Sequence, residues 1–252
     1  NPAFLNKDGR RTVPGYCTDI ITGLAIDWLE NRRDKQKPFL LMAQHKGPHR
    51  NWMPPLRFLD WLDGVTLPEP TTLFDDYADN ASPARWQEME LDRHMSLIFD
   101  LFLTPPPNWD PAQAMGSDRS GFNNLKRMTS EQRQAWDAAF ADENAAFYEA
   151  ALEGKELLRW KYQRYLKNYL ATARAVDDSV GRLVAYLDEA GLSDNTVVIY
   201  SSDQGFYLGD HGWYDKRWMY EESMAMPLIV KWPGVTQAGS VNHDLVQNLD
   251  YA

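Results

Sequence analysis

A short apolar, β-branched run, Thr196-Val197-Val198-Ile199-Tyr200, passes directly into Ser202-Asp203-Gln204-Gly205-Phe206-Tyr207-Leu208-Gly209-Asp210-His211-Gly212-Trp213-Tyr214-Asp215-Lys216. The run reads as a buried strand, and Gly205 and Gly209 read as the loop that leaves it. In an open α/β sheet, ligands sit beyond the carboxyl ends of the strands. Asp203 and Gln204 therefore occupy the place where a site is expected. An Asp carboxylate beside an amide carbonyl offers hard oxygen donors, suited to Ca²⁺ or Mg²⁺. Lys216 follows thirteen residues after Asp203. That is far enough for the loop to fold back and supply a fixed positive charge for an anionic substrate.

The remaining chain supplies the alternation that such a sheet needs. Residues 1–16 lack periodicity and read as loop. Thr18-Asp19 predicts a helix start, and Ile20, Ile21, Leu24, Ala25, Trp28 and Leu29 form one amphipathic face. Pro38 to Ala43 reads as a buried strand of a parallel sheet, so helix and strand alternate. Residues 55–130 carry proline clusters, Pro105-Pro106-Pro107 among them, and read as an insertion that shapes a cleft. Asp75, Asp76 and Asp79 within it read as a solvated face with no assigned role. Helices are predicted from Ser130 to Ala151 and from Leu157 to Glu189, the second with Tyr162, Tyr165 and Tyr169 in the core. Gly191 stops that helix. Leu228 to Trp232 reads as a further strand. The fold class is α/β, with a mixed, mainly parallel sheet flanked by helices.

Composition removes several function classes. The 252 residues carry a net charge of −10, which does not suit nucleic acid and does not steer an anionic substrate from a distance. Attraction for an anion must then be local. No apolar run is long enough to span a bilayer. The single cysteine excludes an internal disulfide. The chain opens Asn1-Pro2-Ala3, without an initiating Met or a basic-then-apolar leader, and is expected to be a fragment.

The Asp203 block resembles the second metal motif of the type I sulfatases of the alkaline-phosphatase superfamily: S-D-x-G after a strand, then G-[ED]-H-G, then a lysine. Met219-Tyr220-Glu221-Glu222-Ser223 and Met226-Pro227-Leu228-Ile229-Val230 continue the likeness. A second segment, Gln44-His45-Lys46-Gly47-Pro48-His49-Arg50-Asn51-Trp52, matches the family's K-x-P-H pattern, whose final histidine binds the sulfate or ester oxygen. The resemblance implies that Asp203 and Gln204 ligate Ca²⁺, with Mg²⁺ as the alternative. It implies that His49 and Lys216 are catalytic and hold sulfate oxygens. It gives His211 a loop-orienting role and leaves Arg50, Arg217 and Trp218 to contact the sugar. Asp177 and Asp178 are structural.

In such an enzyme a hydrated formylglycine attacks sulfur, the alcohol leaves, and the sulfo-enzyme collapses by elimination. The substrate class implied is a sulfated sugar or glycosaminoglycan, and the segments look closest to bacterial glycan sulfatases, N-acetylglucosamine 6-sulfatases included. A periplasmic or secreted location follows from the same resemblance. The C/S-x-P-x-R nucleophile motif, the early Asp-Asp pair and the K-x-H motif are absent. Cys17 has no Pro or Arg at the required offsets and reads as a small structural residue. Residues 1–252 thus read as an incomplete sulfatase catalytic domain, without the nucleophile segment and the C-terminal subdomain, and the chain alone is expected to be inactive. Two alternatives stand beside this reading. One is a phosphodiesterase or phosphonate hydrolase of the same superfamily. The other is a non-catalytic carbohydrate-binding remnant, which would not need Asp203, Gln204 and Lys216.

Overall fold

The structure is a computed structural model that describes residues 1–106, 108–110, 112–114 and 116–251. Pro107 of the expected proline run and Ala252 at the end of the chain lie outside the described residues.

The first sixteen residues are not loop throughout. β1 (Ala3–Asn6) and β2 (Gly9–Thr12) form an antiparallel hairpin with Phe4 opposite Arg11. Its mostly polar, exposed residues hide the two-residue alternation that announces a strand. The predicted first helix is present as α1 (Cys17–Asp27), extended by a π-turn over Trp28–Arg32. α1 is fastened to the longest helix by a buried Thr22 hydroxyl that donates to Ser179 at 2.6 Å.

Residues 38–43 do not form the expected buried strand. They run without ladder bonds, and Leu40 and Met42 are 84% and 69% exposed. Their apolar pattern is that of a strand, but among the described residues no strand pairs with them.

The insertion is well built. It carries α2 (Ser82–Trp86) and α3 (Gly116–Leu125), which the sequence reading missed. α4 (Ser130–Ala150) follows the predicted span and begins with a reciprocal capping box between Thr129 and Gln132. α5 (Gly154–Glu189) is the spine of the fold. Its aromatic stripe lies in the core as expected, with Tyr162 and Tyr165 buried against Trp52, Leu73, Leu91, Leu101 and Tyr214. Leu73, Leu91, Met95 and Leu101 come from the insertion, so that segment wraps α5 and is part of the core. Each such side chain contributes about 1.5–3 kcal/mol of burial free energy. The helix stops at Gly191, where the Leu192 amide bonds back to the Leu187 carbonyl at 2.8 Å.

β3 (Val198–Ser201) and β4 (Leu228–Lys231) pair antiparallel, with Ile199 opposite Val230. Between them lies α6 (Glu221–Met224). The α/β class stands, as helices packed with short sheets. Both ladders are antiparallel, however, and the expected parallel neighbours do not occur among the described residues. β3 is not buried either: Ile199 is 49% exposed, and among the described residues β4 is its only strand partner.

Candidate active site

The site is built from the loop that leaves β3. The Ser202 hydroxyl donates to the Gln204 carbonyl at 2.8 Å and turns the chain, leaving Asp203 exposed at the strand end. Gly205 then passes so close to α6 that a Cβ would lie 2.2 Å from the Glu222 carbonyl oxygen and 2.4 Å from that of Ala225. Its amide donates to the Ser223 carbonyl at 2.9 Å. From here the loop folds back on itself. The Tyr207 amide bonds the Asp215 carbonyl at 3.1 Å and the Gly209 amide the Trp213 carbonyl at 2.9 Å. This return brings Lys216 opposite Phe206, with its ammonium 5.3 Å from the ring centroid. The Ser223 hydroxyl donates to the Lys216 carbonyl at 2.8 Å and fixes the end of the loop.

The tip of the loop is held by Gly209 and His211. Gly209 adopts φ +105°, and a Cβ there would sit 2.5 Å from the Tyr162 ring on α5. His211 lies in the left-handed region at φ 57°. Its ring lies 3.5 Å from Asp75 at Nδ1 and 3.5 Å from Glu222 at Nε2. Its amide donates to the Thr72 hydroxyl at 2.9 Å, and the Tyr77 hydroxyl donates to its carbonyl at 2.7 Å. His211 therefore ties the loop to the insertion and to α6. Asp75, given no role from the sequence, is one wall of that clasp.

His49 closes a turn by donating its amide to the Lys46 carbonyl at 2.9 Å. Its exposed ring places Nδ1 2.8 Å from the Arg50 carbonyl oxygen. A carbonyl only accepts, so Nδ1 carries the proton and Nε2 is the free corner. Arg50 donates through Nε and Nη2 to both oxygens of Asp100, each at 2.7 Å, and Asp100 is fully buried. The guanidinium also lies 5.0 Å from the Tyr214 ring centroid. Trp52 is completely buried and meets Tyr165 of α5 at 4.5 Å, Tyr214 at 6.1 Å and Phe206 at 6.3 Å between centroids. These contacts join the His49 segment to the Lys216 loop.

Electrostatics agree with that convergence. Burial lowers the Lys216 pKa; Asp215 and Asp203 act to raise it, and Arg217 and Lys46 add to the lowering. The Lys216 ammonium thus lies in the fields of both the Asp203 carboxylate and the Lys46 turn. Arg217 is exposed and bonds Asp215 through Nε at 3.2 Å. Trp218 stands beside it, 47% exposed. Cys17 is the first residue of α1, where burial raises its thiol pKa and weakens it as a nucleophile.

A divalent cation fits part of this arrangement. The side chains of Asp203 and Gln204 have no hydrogen-bond partner among the described residues, since the bonds at this turn use the Ser202 hydroxyl and the Gln204 backbone. Their free oxygens are hard donors of the kind Ca²⁺ and Mg²⁺ take. Ca²⁺ takes about six to eight oxygens. Among the described residues no three His, Cys, Asp or Glu side chains gather around one point. The described residues alone therefore do not make up a coordination shell.

Sequence reasoning missed the residues that assemble the site. Asp100 and Tyr214 carry no motif, and Trp52 lies at the end of the 44–52 segment without a role of its own in the motif. An apolar ring amid His, Lys and Arg was the available signal for Trp52. Asp100 gave no local one, because its meaning lies in a partner fifty positions earlier.

A family model described as Sulfatase matches residues 3–252. The chain is 45% identical to an N-acetylglucosamine-6-O-sulfatase of Bacteroides thetaiotaomicron (strain ATCC 29148) over 249 residues, covering 98% of this chain and 43% of the relative. It is 25% identical to an arylsulfatase of Volvox carteri, covering 100% of this chain and 33% of that one. The solved structure of BT4656 in complex with its substrate D-glucosamine-2-N,6-O-disulfate superposes with a TM-score of 0.86 at 45% identity, covering 95% of this chain and 47% of that one. The chain thus spans less than half the length of these relatives. The sulfatase family generally uses a metal ion. No described helix is long and apolar enough to cross a membrane. From the family match and this extent of identity, the chain belongs to the sulfatase family.

Proposed function

We propose that the protein carrying this chain hydrolyses the sulfate ester of a sulfated amino sugar, at the 6-O position of a glucosamine unit, and that it works outside the cytoplasm. The observation that carries the reading is the folding back of the Lys216 loop, which sets a cation in the field of Asp203. The likeness to BT4656 and its disulfated glucosamine substrate supports the choice of sugar.

In this reading Asp203 and Gln204 give oxygen ligands to Ca²⁺, or to Mg²⁺ in its place. A cation bound there polarises the sulfate and neutralises its oxygens. Lys216 holds a sulfate oxygen and offsets charge that grows on the bridging oxygen as the S–O bond breaks. His49 approaches from the other loop. With Nδ1 committed to the Arg50 carbonyl, Nε2 is the ring nitrogen left to face a sulfate oxygen. Arg217 and Trp218 form an exposed cationic and aromatic edge on which a sugar rests. Local charge of this kind compensates for the overall −10.

The test is sulfate release by the full-length protein from glucosamine 6-O-sulfate, compared with hydrolysis of an aryl phosphodiester. Release of sulfate in clear preference to phosphodiester cleavage is expected. Preferential phosphodiester cleavage would move the protein to the phosphodiesterase branch of the same fold. Sugar binding without turnover would make it a binding protein.

A further inference from the structure

We infer that Asp100 is a positioning residue of the active site: it fixes the guanidinium of Arg50 so that the edge away from Asp100 meets an anionic oxygen of the substrate. The inference rests on the sulfate-ester reading above. Three separate segments meet at this guanidinium. The backbone comes from the His49 loop, the carboxylate from the insertion, and one aromatic face from Tyr214 on the Lys216 loop. The other flank is the Phe99 ring, whose centroid lies 5.3 Å away.

Asp100 is prepared for this task. Its side chain is fully buried, and besides Arg50 it accepts the Ser96 amide at 2.9 Å. The segment is braced on the other side by Asn51, whose amide donates to the Phe99 carbonyl at 2.9 Å. Burial alone would lower the pKa of Arg50, but the bonded Asp100 carboxylate more than compensates and keeps it charged. A planar guanidinium bound along its Nε–Nη2 edge has one orientation available. That edge faces a carboxylate with no exposure, while the Arg50 side chain as a whole retains 26%. The open part is therefore the edge of the guanidinium away from Asp100, where the Tyr214 hydroxyl is also within its reach.

The position argues for function rather than packing alone. Arg50 directly follows His49, and its own carbonyl sets the His49 ring. Asp215, the residue before Lys216, lies within its field.

The experiment is a double-mutant cycle on the full-length protein with glucosamine 6-O-sulfate, using Asp100→Asn, Arg50→Gln and the double variant. Thermal midpoints are measured in parallel. Asp100→Asn keeps the side-chain shape but loses the acceptor pair, and KM is expected to rise about tenfold, as for a lost charge-assisted bond. The Arg50→Gln variant should show a similar rise, and the double variant no more than either single one. Free guanidinium should restore part of the activity of Arg50→Ala when Asp100 is intact and none when it is Asn. If Arg50→Ala does not fold, the cycle with the amide pair still decides. An active wild type in which Asp100→Asn leaves KM unchanged, or in which the two effects add in full, overturns the role of Asp100 alone. A wild type that releases no sulfate overturns the functional reading, and this inference with it.

Discussion

Replacing Gly205 with Ala tests the way the site is held. The added Cβ would lie 2.2 Å from the Glu222 carbonyl oxygen and 2.4 Å from that of Ala225. Both obstacles are backbone, so no rotamer change relieves them. Restoring van der Waals distance requires the loop and α6 to separate by roughly an ångström. That movement stretches the Gly205 amide bond to Ser223, 2.9 Å long, and pulls on the Ser223 bond to the Lys216 carbonyl at 2.8 Å. Overpacking of this kind costs about 1–3 kcal/mol. A weakened backbone hydrogen bond adds about 1 kcal/mol. We therefore expect a loss of about 2–4 kcal/mol in stability. Displacing Lys216 by a similar distance should cost on the order of a hundredfold in turnover. Urea denaturation and steady-state sulfate release on the full-length protein measure the two effects. A Gly205→Ala protein within about 0.5 kcal/mol of wild type, with unchanged turnover, would refute the claim that backbone contact at Gly205 sets the site.

Two further outcomes follow from the same geometry. Burial pushes the phenols of Tyr16, Tyr169 and Tyr214 up to about 12. Each is raised above its unfolded value of 10.0, so its contribution is fully present below pH 10 and is lost as pH climbs toward 12. The loss is about 1.4 kcal/mol per pH unit for each tyrosine, and stability that stays level through that window while the phenols ionise would contradict it. Calcium titration by calorimetry should show much weaker binding in Asp203→Ala than in wild type, and equal affinities would remove Asp203 as a ligand.

The parts of the fold that were legible are those whose signal is local. α4 announces itself through Thr129 and Gln132, and α5 through the spacing of Tyr162, Tyr165 and Tyr169. The loop from Asp203 to Lys216 was legible because its glycines mark where backbone must pass close to α6 and Tyr162. Strand pairing was not legible. The β-branched residues of 196–200 encode a strand that expects cover on both faces, and they do not say which partner supplies it. Here the partner is β4, antiparallel, and among the described residues no third strand joins the pair. The same reasoning explains residues 38–43, whose pattern asks for neighbours they do not have among the described residues. The assembly of the site was also hidden. Trp52 and Asp100 act through residues distant in sequence, and no motif encodes a meeting of three loops.

The most direct test of the sulfatase site is the kinetic separation of Lys216→Ala in the full-length protein acting on glucosamine 6-O-sulfate. If the ammonium that stands over Phe206 in the field of Asp203 stabilises charge growing on the departing oxygen, its loss acts mainly on the transition state. The predicted result is a fall in kcat of on the order of a hundredfold, about 3 kcal/mol, carried equally into kcat/KM. An unchanged kcat with only a raised KM would contradict this, and would leave Lys216 as a residue that binds substrate and transition state alike.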